Sequence, residues 1–83
     1  MAASCTVVPV HGSFFLNQLL VDELEPSEFN KAVKQCYQSA SKLSERIGKA
    51  VTPEFLFKQC DGNVEVFLTN GGMEEKIYEC RKQ

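Results

Sequence analysis

Tryptophan is absent from the 83-residue chain and histidine occurs once, at His11. Both absences thin the supply of aromatic anchors and of acid–base groups for catalysis. The four cysteines, Cys5, Cys36, Cys60 and Cys80, never stand two to four residues apart. That excludes a zinc knuckle and a redox CxxC pair. No apolar run approaches the ~20 residues needed to span a bilayer. No glycine-rich phosphate loop exists, because Gly71-Gly72 lies between two predicted strands with no helix after it. Positive charge is not in excess: the net charge is −2 and the isoelectric point about 5.3, which gives no general attraction to nucleic acid or anionic membrane. The opening residues MAASCTVVPV carry no basic group, and the next apolar run is broken by His11, Gly12, Asn17 and Gln18. No secretory signal is legible there. An even count of cysteines in a short chain suits two disulfides, but the expectation without such a signal is a cytoplasmic location, with the nucleus as alternative, and four free thiols.

What is present suffices for one small folded domain spanning 1–83. Hydrophobic residues make up 43% and charged residues 24%, which argues against global disorder. A chain this short buries a modest share of its surface, so its margin of stability is thin.

The stretch Ser27 to Val51 has the clearest period. Phe29, Val33, Cys36, Ala40, Leu43 and Ile47 recur at spacings of four and three, which puts them on one face of a helix. Lys31, Lys34, Lys42, Arg46 and Lys49 fall on its polar face, together with Gln35 and Gln38. Pro26, Ser27 and Glu28 suit a helix start, Gly48 weakens the far end, and Thr52-Pro53 closes it.

Before this helix, Cys5 to Val10 is rich in β-branched residues and reads as a strand. Pro9 cannot donate to a ladder, so the strand ends there or lies at an edge. His11-Gly12 reads as a turn. Ser13 to Leu24 is compatible with a strand or a helix. Its leucines, glutamine and glutamate favour the helix, with Ser13 as N-cap and a stop before Pro26. Phe14, Phe15, Leu16, Leu19, Leu20, Val21 and Leu24 would then surround most of its circumference.

After the long helix, Glu54 to Cys60, Asn63 to Thr69 and Glu74 to Arg81 read as three strands. Asp61-Gly62 suits a two-residue type I′ hairpin turn. It sets Phe55 opposite Leu68, Phe57 opposite Val66 and Lys58 opposite Glu65. Asn70-Gly71-Gly72 makes the second turn, which places Ile77 beside Val66. One face then carries Phe55, Phe57, Val64, Val66, Leu68 and Ile77. The other carries a diagonal row, Leu56, Phe67 and Tyr78. In this register Cys60 and Cys80 are too far apart to bond. The fold class is therefore α+β: an N-terminal strand, a short helix, and one long amphipathic helix on a three-stranded antiparallel meander.

No catalytic constellation emerges. His11-Gly12-Ser13 joins a base and a nucleophile only in sequence, and a turn followed by a helix cap accounts for it. Cys36 sits on the apolar helix face as a small core residue. No metal, cofactor or small-molecule substrate is implied.

The expected function is a non-enzymatic protein-interaction module: a small subunit, adaptor or inhibitor that binds a protein partner or pairs as a homodimer. Its expected contacts are Leu56, Phe67 and Tyr78 on the second sheet face and Phe14, Phe15 and Leu20 on the N-terminal segment. Coverage of the sheet row by the chain's own N-terminal segment is the structural alternative. A different function uses the basic helix face: Ser27 to Val51 holds five positive and two negative side chains, against four and nine elsewhere. Such segregation can orient an encounter with an acidic partner, or serve a nucleic-acid-binding accessory role. The acidic strands disfavour nucleic acid.

Overall fold

A computed structural model describes residues 4–81. Strand β1 (Cys5–His11) leads into helix α1 (Ser13–Glu23) and helix α2 (Pro26–Ile47). Strands β2 (Glu54–Cys60), β3 (Asn63–Leu68) and β4 (Glu75–Cys80) follow, with one 3-10 turn, Asn70–Gly72, before β4. The four strands form one antiparallel sheet in the order β1-β2-β3-β4. Both helices pack on the same sheet face, α1 beside β1 and α2 beside β4. The α+β class stands, and the N-terminal strand joins the meander as its fourth member.

The Asp61-Gly62 turn produces the expected register: Phe55 opposite Leu68, Phe57 opposite Val66, Lys58 opposite Glu65. Both turn residues have positive φ, 51° and 86°, as a type I′ turn requires. Gly62→Val should therefore strain the turn and lower the melting temperature clearly, because a β-branched side chain is penalised at positive φ. An unchanged melting temperature in that variant would show that the turn does not hold the hairpin.

Helix α2 starts with Pro26 in its first turn and ends at Ile47, short of the expected Val51. Gly48 does more than weaken the end. It adopts φ 87° and donates its N–H to the Ser44 carbonyl at 2.9 Å, a left-handed cap that stops the helix. Cys36 and Leu43 are buried, Phe29, Val33 and Ala40 partly so, and Ile47 in the last turn is exposed. Ala32 is fully buried, where its small side chain lets the helix approach the sheet. Helix α1 buries Leu16 and Leu20, one turn apart, and its C-cap residue Leu24 is buried as well. Its N-cap is Gly12, not Ser13, and the Gly12 N–H donates to the Pro53 carbonyl, while His11 belongs to β1.

Three expectations are overturned. A β-bulge between Val66 and Phe67 pairs Val66 with Tyr78 and Phe67 with Lys76, leaving Ile77 as the extra residue. Tyr78 thereby turns to the helix-covered face, 4% exposed, instead of standing in the outer row. Ile77 still packs against the core from its bulged position. The N-terminal segment does not cover the outer face either; β1 extends the sheet edgewise and α1 lies beside α2. Third, the four thiols are not all free. Cys5 and Cys60 face each other across β1 and β2 and form a disulfide, while Cys36 and Cys80 remain free. Cys60 and Cys80 are not bonded to each other, as expected.

Tyr78 carries the polar link between helix and sheet. Its hydroxyl donates to Glu28 Oε1 at 2.7 Å. That bond, with help from Lys31, holds the Glu28 carboxyl below its usual range. Burial, then the Glu28 contact, pushes the Tyr78 phenol well above its ordinary value. The signs differ at the two ends of the pH scale. The Glu28 contribution to stability is present above about pH 4.5 and fades as pH falls below it. The Tyr78 contribution is present below about pH 10 and fades as pH rises beyond it. Tyr78→Phe should therefore melt below wild type at neutral pH, and the gap should narrow in acid and in alkali. A gap that stays constant from pH 3 to 11 would mean that the pair does not couple folding to pH.

Candidate interaction surface

The helix-free sheet face presents the odd-numbered residues of β1 and the even-numbered residues of β2. Val7 is 53% exposed there, and Leu56 and Phe67 are half-buried beside it. With Lys58 and Glu74 they line a depression of about 220 Å³. The remaining charges on this face largely satisfy one another: Lys76 bridges Glu65 at 3.4 Å and Glu79 at 3.3 Å, and Arg81 reaches Glu79 at 3.0 Å. The open apolar patch is thus Val7, Leu56 and Phe67, with Val7 in the place expected for Tyr78.

On the other side of β1, helix α1 and the strand edge enclose a groove of about 440 Å³. Phe15 and Leu19, one turn apart, form its helical wall, and Val8, Pro9 and Val10 its strand wall. Phe14 and Phe15 are 67% and 62% exposed and meet edge to face, with ring centres 5.4 Å apart. Both were expected as contact residues and both are open. Leu20, the third, is not: four residues from Leu16, it points into the core and is fully buried.

The groove and the sheet patch join around the β1 edge. Pro9 borders both the groove and a small adjoining hollow on the outer face, and Leu56 borders that hollow and the Val7–Phe67 depression. One apolar strip therefore wraps from α1 over the strand edge to the outer sheet face. Strand addition is opposed at both sheet edges. In β1 the even residues bond to β2, as the Gly12-to-Pro53 and Asp61-to-Ser4 hydrogen bonds at its ends show. The odd residues aim their backbone groups outward, and Pro9 among them has no N–H to offer. In β4 the bulge, Glu75, Lys76 and Glu79 do the same. The sheet edges thus expose side chains and no free run of ladder hydrogen bonds.

The basic residues of α2 are exposed, as expected. Lys31 pairs with Glu28 at 3.1 Å. Lys31 and Lys42 lie eleven residues, three turns, apart in a line along the helix, and Lys49 lies beyond the Gly48 cap. Lys34 and Arg46 flank it. Glu28, paired with Lys31, meets Tyr78 of β4, so the start of this line lies on the β4 side of α2.

Among the described residues no cluster of side chains could hold a metal ion, and no helix is long and apolar enough to cross a membrane. Burial pushes the Cys36 thiol up to about 12, which suits a core residue and not a nucleophile. His11 stands 3.7 Å from Glu54, with both side chains largely exposed.

Fold and surface together define a small two-layer α+β domain with an exposed apolar strip. Comparison with family models, with curated proteins and with solved structures finds no match to this chain.

Proposed function

We propose that this chain is a non-enzymatic protein-interaction module, a subunit, adaptor or inhibitor, that binds through the apolar strip around β1. The observation that carries the proposal is the exposed Phe14–Phe15 pair beside a groove continuous with Val7, Leu56 and Phe67. Two aromatic rings held in water are a cost that a partner surface would relieve, and aromatic residues are enriched where interfaces bind most tightly. The partner is a second copy of the chain or a different protein.

Phe15→Glu and Phe67→Glu lie outside the buried core, so both variants should stay folded. Sedimentation equilibrium at micromolar concentration should show self-association that either charge disrupts, if the partner is a second copy. If wild type is monomeric throughout, affinity purification from the native host followed by mass spectrometry should recover a protein that the Phe15→Glu chain loses. Equal recovery by wild type and both variants would sink the proposal.

The alternative is a nucleic-acid-binding accessory role for the α2 line. Its support is that Lys34, Lys42, Arg46 and Lys49 have no ionic partner among the described residues. Steeply salt-dependent binding to mixed single- and double-stranded nucleic acid would favour it over the first reading. The proposed location is the cytoplasm or nucleus. There a disulfide such as Cys5–Cys60 is transient and tied to redox state.

A further inference from the structure

We propose that the Cys5–Cys60 disulfide is a redox latch on the first half of β1. The strand is anchored unevenly. Val10 is buried and Val8 half-buried, but Cys5, Thr6 and Val7 are all exposed. Apolar burial therefore holds only the second half against the domain. The first half is held by ladder bonds around Thr6 and Gln59, by the Asp61 N–H donating to the Ser4 carbonyl at 3.3 Å, and by the disulfide. Exposed ladder bonds at a strand end open readily unless side chains or a crosslink pin them.

Cys5 is open to solvent and Cys60 half-buried, so a reductant reaches Cys5 first. One thiolate of a dithiol reductant attacks Cys5 Sγ. The S–S bond breaks, and Cys60 Sγ leaves as a thiolate that takes up a proton. The second thiol of the reductant then displaces Cys5 from the mixed disulfide. Two electrons and two protons pass to the protein, and the reductant becomes a disulfide. The free thiols Cys36 and Cys80 take no part: Cys36 is buried in α2, and Cys80 sits next to the inward-facing Val64 pair, on the opposite sheet face from Cys60.

Release of residues 4–7 removes Val7 from the wall it shares with Leu56 and Phe67. The outer part of the apolar strip is then reshaped by redox state. This consequence rests on the proposed interaction role; the latch itself does not.

Amide hydrogen exchange on the native chain tests it. In the oxidised protein the Thr6, Gln59 and Asp61 amides should be protected. After reduction they should exchange near the unprotected rate, while Val64 and Val66 in β3 stay protected. Cys5→Ser without reductant should match the reduced form. Equal protection in both redox states would overturn the latch, as would three amides already unprotected when oxidised. Val64 and Val66 exchanging at that same unprotected rate would overturn it too, since the reduced domain would then be unfolded and not merely unlatched. A failure of partner binding at Phe67 leaves this exchange result untouched, so the two readings fail separately.

Discussion

Reduction of Cys5–Cys60, or Cys5→Ser, is expected to lower the melting temperature by roughly 15–30 °C, the equivalent of roughly 4 kcal/mol for a domain of this size. The bridge joins positions 55 residues apart, so it closes a loop around both helices and all of β2. Cutting it frees that loop in the unfolded chain, and the entropy gained there is the source of the loss. For 83 residues the whole stability is about 4–12 kcal/mol, so this one bond is a large share of it. The reduced domain still folds at room temperature, because neither cysteine belongs to the buried core and that core is unchanged. Thermal melts with and without reductant decide the matter. A shift of only a few degrees would mean that the unfolded chain keeps the two strands together without the bridge.

Leu20→Glu is expected to unfold the domain outright, and Leu20→Ala to cost about 2–5 kcal/mol. Leu20 has no exposed surface and belongs to the buried core that also holds Leu16 of its own helix and the sheet residues Val10, Phe55 and Phe57. An ionised carboxylate there would have no partner: among the described residues no charged side chain is buried, and the Tyr78 hydroxyl is already bonded to Glu28. Phe67→Glu is the control. It places the same charge on the half-open sheet face and should leave the far-UV circular dichroism of wild type intact. A soluble, folded Leu20→Glu chain would show that α1 docks on the sheet by another face.

The contrast between Leu20 and Phe67 shows where sequence patterning stopped being informative. The N-terminal helix is apolar on nearly every side, so no period separates its core residues from its exposed ones. Leu16, Leu20 and Leu24 go inward and Phe14, Phe15 and Val21 outward because of where β1 and α2 lie. That placement depends on contacts with distant parts of the chain, and nothing local to residues 13–24 specifies it. Basic side chains were easier: five cations on the polar side of one clear helical period stayed exposed.

What the sequence determined by itself is local. The α2 period, the Asp61-Gly62 turn and the β2–β3 register follow from residues within a few positions of one another. Each is settled by backbone preference and a repeating apolar pattern. Pro9 likewise limited its strand to an edge position or an early end, and the strand runs on to His11 at the sheet edge. Tertiary structure decided the rest. The six residues between Leu68 and Glu75 do not dictate a register, so the bulge that turns Tyr78 inward arises from packing Tyr78 against α2 and bonding it to Glu28. The Cys5–Cys60 pair exists because β1 returns to lie beside β2 after two helices. Sequence spacing cannot bring residues 55 apart together; only the folded sheet does.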